Sequence, residues 1–193
     1  MSTIIDDLDA RLGARIRIER EQRGWSLTDL AQRSGVSRAM INKVERGEAS
    51  PTASLLGRLS GAFGLTLSTL LARTESGRAG RLMPAEDQLR WTDPATGYVR
   101  RQVAPGPGSD LPLDIVQVEL PAGASVSFPA AAYAFIRQLI WVLDGCLTFI
   151  EGEVVHTLGA GDCLELGPAA NCTFRNEQTD PCVYAVVVSR PSR

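Results

Sequence analysis

The sequence has few of the residues that hold metal ions and covalent bridges, with one histidine and four cysteines in 193 residues. The cysteines lie in the last quarter of the chain, at Cys146, Cys163, Cys172 and Cys182, and no two form a Cys-x-x-Cys pair. The usual spacings of a zinc site are therefore absent. No export signal precedes these cysteines, so we expect reduced, partly buried thiols rather than a disulfide framework.

Long apolar runs and a targeting segment are also missing. No stretch approaches the roughly 20 apolar residues that cross a bilayer. The first ten residues, MSTIIDDLDA, are acidic and lack the basic and apolar parts of a secretion signal. Hydrophobic residues make up 44% of the chain and charged residues 22%, which is ordinary for a globular protein. We therefore expect a soluble cytoplasmic protein with no membrane contact, long enough for two small domains.

Charge is distributed unevenly along the chain. The formal net charge is −2, but residues 11–73 hold eleven Lys/Arg against five Asp/Glu, whereas residues 74–193 hold nine against fourteen. A basic half beside an acidic half indicates that one half meets a polyanion. The alternative is a basic helical surface that is simply solvated.

Residues 6–73 carry the pattern of five short helices. Apolar residues recur at three- and four-residue spacing, and Pro51 is the only proline in this stretch. Ser26 together with Asp29 predicts a capping box at the start of one helix. Gly35 predicts the end of the same helix.

From Tyr98 onward the pattern changes to short strands separated by Pro, Gly and Asp turns. Many short strands at nearly regular spacing favour a β-sandwich or barrel. Between the two parts, residues 74–97 predict a linker, although Leu82 and Trp91 are too apolar for a free tether and indicate that some of it joins the strands. The β-rich runs are 113–120, 138–143, 146–150, 153–158, 163–166, 172–175 and 182–188.

Residues 27–46, LTDLAQRSGVSRAMINKVER, meet the requirements of two tightly crossing helices. Ala31 provides a small side chain where the helices touch, and Gly35 tolerates the positive φ that the turn requires. The spacing therefore predicts a helix-turn-helix. The residues expected on its inner faces are Leu30, Val36, Met40, Ile41 and Val44.

The wider segment 12–71 resembles the five-helix DNA-binding domain of the λ repressor/Cro (XRE) family. It contains the family's V-S-x-x-x-I-x-x-x-E-x-G run at residues 36–47. One departure is Glu19, where family members commonly have leucine, and we expect Ile18 to compensate through a slight rotation of the first helix. The resemblance implies a helix-turn-helix domain over residues 8–73.

By this resemblance, residues 37–46 form the recognition helix, which lies in the major groove of DNA. Arg38 is suited to guanine, Asn42 to adenine or a phosphate, and Ala39 to a thymine methyl. We expect Glu45 to pair with an arginine of the first helix. For each DNA-facing residue alone, the alternative is a solvated side chain. The predicted DNA-contacting residues are Ser37, Arg38, Ala39 and Asn42, with Lys43, Arg46, Arg15 and Arg17 on phosphates.

Residues 119–176 resemble the core of cupins, small double-stranded β-barrels that often follow this DNA-binding domain. The matching turns are PAG at 121–123, WVLDG at 141–145, LGAGD at 158–162 and FRN at 174–176. The resemblance implies a barrel over residues 98–190.

The four positions at which cupin enzymes hold a metal ion are Pro129, Ala131, Gln138 and Cys172 in this sequence. These residues cannot supply the three protein ligands of a catalytic metal. We therefore expect no metal, no cofactor and no cupin catalysis, and we expect His156 to be an ordinary half-exposed residue.

A barrel without a metal can still hold a small ligand in its mouth. The alternative is that its interior side chains simply fill a packed core. A redox role for Cys163 and Cys172 would require that their sulfurs meet and are exposed. The residues expected to line an effector pocket are Phe128, Tyr133, Gln138, Trp141, Cys163 and Cys172.

Together these features predict a multidomain α and β protein, a five-helix DNA-binding domain followed by a cupin barrel, that regulates transcription. We expect a homodimer on a pseudo-palindromic operator of double-stranded DNA, since one such domain covers only one half-site. The barrel then binds a small non-metal effector, serves for dimerisation, or does both. Two alternatives are a cupin enzyme that regulates its own gene and a module that uses the helical domain to contact other proteins.

Overall fold

A computed structural model of the chain describes residues 3–74, 82–104 and 111–189. The first part consists of five helices, as the sequence predicts. None of the helices in the described residues has the length and apolar character needed to cross a bilayer. The helices are α1 (Thr3–Gln22), α2 (Leu27–Ser34), α3 (Arg38–Glu45), α4 (Ala53–Phe63) and α5 (Leu67–Ala72), and we call them the helical domain.

Local side-chain and backbone hydrogen bonds set the ends of α2. The Ser26 hydroxyl accepts a hydrogen bond from the backbone N–H of Asp29 at 3.1 Å, and the Asp29 carboxylate accepts one from the backbone N–H of Ser26 at 2.8 Å. This is the predicted capping box. Gly35 has φ +66° and its N–H donates to the Ala31 carbonyl, which ends α2 as predicted and starts the turn into α3.

The second part is a barrel of two antiparallel sheets. One sheet has the strand order β1-β2-β3-β10-β5-β8 and the other β4-β9-β6-β7. Short 3-10 turns cover 85–87 and 130–132. The strands are β1 (Arg90–Thr92), β2 (Val99–Ala104), β3 (Leu113–Leu120), β4 (Ser125–Phe128), β5 (Arg137–Asp144), β6 (Cys146–Glu151), β7 (Val154–Gly159), β8 (Cys163–Glu165), β9 (Cys172–Arg175) and β10 (Cys182–Ser189).

Aromatic side chains from both sheets meet inside the barrel. The ring of Phe174 on β9 lies 4.9 Å from that of Phe149 on β6 and stacks at 5.6 Å on Tyr184 of β10. Because successive side chains of a strand point to opposite faces, these residues share the inner face with the alternate apolar residues of β3 and β10. The two sheets therefore enclose one apolar interior.

The segment between the helices and the barrel is partly structured. Trp91 on β1 is buried and its ring lies 6.4 Å from that of Tyr98, while β1 pairs with β2. Leu82, by contrast, is exposed. The expectation that part of residues 74–97 joins the strands thus holds for Trp91 and is wrong for Leu82. The domain boundaries at 73/74 and 97/98 stay predictions.

The first helix is not rotated relative to the expected packing. Ile18 is 41% exposed, whereas Glu19 is 1% exposed. The expectation that Ile18 replaces an interior leucine is therefore wrong. Glu19 itself occupies the interior position because arginines surround its carboxylate. Those arginines are Arg15, Arg23 and Arg73.

The helical domain rests directly on the barrel. Helix α4 packs against β4 and the turn at residues 130–132. The backbone N–H of Ala53, at the start of α4, donates a hydrogen bond to the Asp93 carboxylate at 3.2 Å. Through these contacts α4 and α5 cover one mouth of the barrel.

Candidate DNA-binding surface and barrel cavity

Helix α3 is held in place by its apolar face and by one ion pair. Ile41 and Val44 are fully buried. Arg20 of α1 forms a two-pronged ion pair with Glu45, with Nε–Oε1 and Nη2–Oε2 distances of 2.7 Å each. The predicted pairing of Glu45 with an arginine of the first helix is confirmed. Planar pairing of this kind fixes the orientation of both side chains, so it sets the angle of α3 on α1.

The opposite face of α3 points to solvent. The Ser37 hydroxyl accepts a hydrogen bond from the backbone N–H of Met40 at 3.2 Å and so caps the helix. Arg38 and Lys43 are exposed, and neither has an ion-pair partner among the described residues. The exposed side chains of this surface are Ser37, Arg38, Ala39, Lys43 and Arg46, with Asn42 half-buried beside them.

Met40 lies on the outside of α3, where it is 38% exposed. The expectation that Met40 faces inward is wrong. A helix turns about 100° per residue, so the narrow stripe centred on Ile41 and Val44 leaves Met40 at its edge. An apolar side chain therefore stands among the polar residues of the outward face.

The two arginines predicted on α1 differ in their surroundings. Arg15 is half-buried and its Nε donates to Glu19 at 2.9 Å. Arg17 is exposed and donates to Glu21 at 2.7 Å. Arg46, at the end of α3, pairs with Glu48 at 2.6 Å. The Arg15 guanidinium is thus bound to a buried carboxylate. Arg17 and Arg46 form exposed ion pairs, in which a DNA phosphate can replace the carboxylate.

Glu19 is the centre of the arginine cluster. Burial alone would raise the pKa of its carboxyl group, but hydrogen bonds from Arg15, Arg23 and Arg73 outweigh that effect and lower the pKa to about 2. Arg23 also donates to the Phe63 carbonyl at 2.7 Å. The cluster therefore joins α1 to the ends of α4 and α5 with a carboxylate that stays ionised at neutral pH.

The barrel contains a cavity of about 50 Å³ beneath the helical domain. Three of the predicted pocket residues line it, namely Phe128, Tyr133 and Gln138. Gly57 and Ser60 of α4 and Thr66 and Leu67 of the α5 region form its roof. Its remaining walls are Tyr98, Arg100, Ala132, Ile136, Phe174, Tyr184, Val186 and Val188.

The other three predicted pocket residues lie elsewhere, and their placement in the pocket is corrected. On β5 the inward side chains are Ile140 and Val142, so Trp141 between them faces outward and is 48% exposed. Cys163, which is paired with Trp141 in the sheet, is exposed as well.

Cys172 is buried and is not among the residues that line the cavity, and its thiol donates a hydrogen bond to the Ala170 carbonyl at 3.4 Å. Burial, followed by the nearby Glu151 carboxylate, raises the pKa of Cys172 to about 11. Its thiol is therefore protonated at neutral pH, which speaks against a redox role.

The cupin metal positions hold no cluster of ligands. Pro129 and Ala131 lie at the end of β4 and in the turn that follows it, and neither side chain can bind a metal. Within the described ranges, no three His, Cys, Asp or Glu side chains are grouped as a metal site requires. His156 is half-buried, stacks on Phe149 at 6.2 Å, and its Nε2 lies 4.0 Å from the Glu151 carboxylate.

Comparison with known proteins agrees with this arrangement. The helix-turn-helix family HTH_3 matches residues 16–70. The HTH-type transcriptional regulator SutR of Escherichia coli (strain K12) is 36% identical over 183 residues, which covers 91% of this chain and 93% of SutR. The chain belongs to the XRE family of helix-turn-helix transcriptional regulators.

Other similarities of this XRE regulator concern its parts and its fold. The HTH-type transcriptional regulator SinR of Bacillus licheniformis is 28% identical over 93 residues, which covers 47% of this chain and 84% of SinR. The crystal structure of an HTH_3 family transcriptional regulator from Vibrio cholerae has a TM-score of 0.77 at 23% identity, covers 96% of this chain and 99% of its own, and shares the fold. The XRE regulator is thus a DNA-binding protein with a β-barrel behind its helix-turn-helix.

Among the cavity residues of the XRE regulator that the sequence analysis did not predict, one carries a charge. Arg100 on β2 is 8% exposed and lines the cavity. Its guanidinium donates to the hydroxyl groups of Ser68 on α5 and, at 3.3 Å, Tyr98. Its Nε has no hydrogen-bond partner. The adjacent residues Arg100 and Arg101 could have indicated a buried arginine. Successive side chains of a strand point to opposite faces, so one of the two faces the barrel interior.

Proposed function

We propose that this XRE regulator binds a pseudo-palindromic operator as a homodimer in the cytoplasm, and that each copy reads one half-site with the outward face of α3. The observation that carries the proposal is that Arg38 and Lys43 are exposed, with no ion-pair partner in the part of the chain that the structure describes, on a helix fixed by the ion pair of Arg20 and Glu45. Free cations on a fixed helix fit the phosphate walls and base edges of a major groove.

Individual roles follow from position along the helix. Arg38, in the first turn, is placed for two hydrogen bonds to a guanine, and Asn42 one turn later for an adenine or a phosphate. Ala39 and the exposed Met40 offer apolar contact to thymine methyl groups. Lys43 at the far end holds phosphates. The remaining phosphate contacts are assigned to Ser37, Arg46, Arg17 and, less directly because Glu19 engages it, Arg15.

The barrel is proposed to act without metal or catalysis, as an effector-binding and dimerisation module. Pro129 and Ala131 support this assignment because their side chains cannot bind a metal. The relatives, which are named as transcriptional regulators, support it as well. The cavity supports an effector of few atoms, since about 50 Å³ is far below the roughly 300–1,000 Å³ of sites for drug-sized ligands.

Selection from a random library of DNA duplexes, followed by sequencing, tests the proposal. We expect the full-length protein to enrich an inverted repeat whose half-sites lie about one helical turn, 10–10.5 base pairs, apart or a multiple of it. Native mass measurement should show two copies per duplex. Arg137→Ala serves as the control for loss of one positive charge, because Arg137 lies exposed on the barrel, paired with Glu165.

Failure to enrich any sequence at low salt would overturn the proposal and favour contacts with proteins. Enrichment of a single half-site by a monomer would overturn only the dimer. Recovery of stoichiometric metal from the purified protein would instead favour the enzyme alternative.

A further inference from the structure

The cavity is lined by a buried cation, Arg100, for which the described residues provide no ion pair. Arg100 is 8% exposed and, within the described part of the chain, hydrogen-bonds to the neutral hydroxyl groups of Ser68 and Tyr98, with its buried Nε left without a partner there. No carboxylate among the described residues lies within 4.0 Å of its guanidinium. Asp114, the buried acid on the neighbouring strand β3, accepts a hydrogen bond from Thr66 at 3.5 Å.

Such an arrangement is costly in a protein that holds nothing in the cavity. A buried charge is normally compensated by an opposite charge and a full set of hydrogen bonds. A guanidinium presents its N–H groups in a planar fork that matches the two oxygens of a carboxylate. The guanidinium of Arg100, a residue that lines the cavity, is therefore suited to bind an anion there.

The rest of the cavity restricts what that anion can be. Phe128, Ile136, Phe174 and Val186 form an apolar wall that fits an alkyl group, while polar side chains including Ser60, Thr66 and Gln138 line the rest of the cavity. A volume of about 50 Å³, a third of a cavity that admits benzene at about 150 Å³, leaves room for only a few non-hydrogen atoms.

We propose that this cavity is a binding site for a short-chain monocarboxylate, with the carboxylate on Arg100 and the alkyl group against the apolar wall. The proposal rests on the effector role proposed above for the barrel and names the chemical class of the effector. One negative charge is sufficient, because Arg100 is the single uncompensated cation lining the cavity within the described part of the chain.

Ligand binding in this cavity is coupled to the helical domain. Arg100 is hydrogen-bonded to Ser68 of α5, and Gly57 and Ser60 of α4 form part of the roof. A carboxylate that draws the guanidinium toward the cavity competes with the Ser68 contact. Ligand binding therefore changes the free energy with which the helical domain rests on the barrel, and through it the affinity for DNA.

The binding test uses the full-length protein and compares acids with amides of the same shape. Isothermal titration and thermal melting are measured with acetate and propanoate, with acetamide and propanamide as neutral controls, and with sulfate as a tetrahedral anion. We expect saturable binding of the acids, at least tenfold weaker binding of the amides, and propanoate tighter than acetate. Equal binding of acid and amide, or no binding of either acid, overturns the proposal. Sulfate binding that exceeds propanoate binding overturns the carboxylate assignment.

Two variants assign the effect to Arg100. Arg100→Gln should weaken propanoate binding at least tenfold, which is the loss of one charge-assisted contact. Arg101→Gln is the matched control, since Arg101 is the next residue of β2, pairs with Gln117 and does not line the cavity. Retained binding in Arg100→Gln refutes the site. If this variant fails to fold, the site is tested by propanoate binding to Arg100→Lys and by the comparison of acid with amide on the native protein.

Operator binding, measured with and without propanoate, separates the two proposals. We expect propanoate to change operator affinity at least fivefold in the native protein and in Arg101→Gln, but not in Arg100→Gln. Intact operator binding with no propanoate binding refutes only this inference. Absent operator binding with intact propanoate binding refutes only the proposed function. Propanoate binding without any change in operator affinity refutes the coupling.

Discussion

Gly57 of α4 lies directly against the ring of Phe128 on β4. A Cβ atom at residue 57 would stand 2.5 Å from Cδ1 and 3.1 Å from Cε1 of that ring, closer than carbon atoms approach without a shift. The ring is in turn held edge-on by Phe174 at 6.0 Å. The helical domain and the barrel therefore meet at a point where not even a methyl group fits, directly beside the cavity.

Gly57→Ala should destabilise the protein. In an exposed helix this change stabilises by about 1 kcal/mol, but here the methyl group must displace the Phe128 ring, and we expect a net loss of about 1–3 kcal/mol. Urea denaturation measures the free energy of unfolding of each variant. In the Phe128→Ala background the clash is gone, so the same change should become stabilising. A stabilising effect in both backgrounds would show that the two domains do not touch at this point.

Glu19→Gln should destabilise strongly, because it removes the charge that three arginines share. We expect a loss of about 3 kcal/mol in the free energy of unfolding, as for one partner of a buried ion pair. Glu21→Gln on the same helix is the control. Glu21 forms an exposed pair with Arg17, and its loss should change stability by less than about 0.5 kcal/mol. Similar effects of the two changes would mean that burial adds nothing to the Glu19 cluster.

Stability should depend on pH through Glu19. The folded pKa of about 2 lies below the ordinary value of 4.5, so the unfolded chain takes up the proton first as pH falls. The stabilisation is fully present above about pH 5 and is lost between about pH 4.5 and 2. The difference in unfolding free energy between the native protein and Glu19→Gln should therefore shrink from pH 7 to pH 3. A constant difference over this range would contradict the lowered pKa.

Arg38→Ala should weaken binding to the selected operator by about 1–3 kcal/mol and relax the preference at one base pair. Lys43→Ala should weaken binding to all sequences about equally and reduce the slope of log affinity against log salt by about 1. Fluorescence titrations on the operator and on single-base variants distinguish the two effects. An unchanged base preference in Arg38→Ala would remove this residue from direct readout.

Chelators should leave folding and DNA binding unchanged. Pro129 and Ala131, at two of the four positions where cupin enzymes bind a metal, offer no ligands, so we expect no effect of removing metal ions. Melting curves and operator titrations with and without EDTA provide the measurement. A large drop in melting temperature with EDTA would mean that a metal stabilises the fold.

The sequence by itself determined the helix-turn-helix and the class of the second domain. The capping box of Ser26 and Asp29, the αL residue Gly35 and the buried residues Ile41 and Val44 all depend on neighbours within a few positions. Such short-range interactions can be predicted from the sequence. The turns of the barrel were predicted for the same reason.

Tertiary structure alone decided which side chains meet across the chain. Of the residues predicted for an effector pocket, Phe128, Tyr133 and Gln138 line the cavity and Trp141 faces outward, because the face of a strand that turns inward is set by its partners. Glu19 is buried only because Arg73, 54 residues away, helps to neutralise it. Arg100 became a buried cation only when α5 covered the barrel mouth. Burial of charge is a balance between desolvation and distant contacts, so a local pattern such as the adjacent pair Arg100 and Arg101 does not decide it alone.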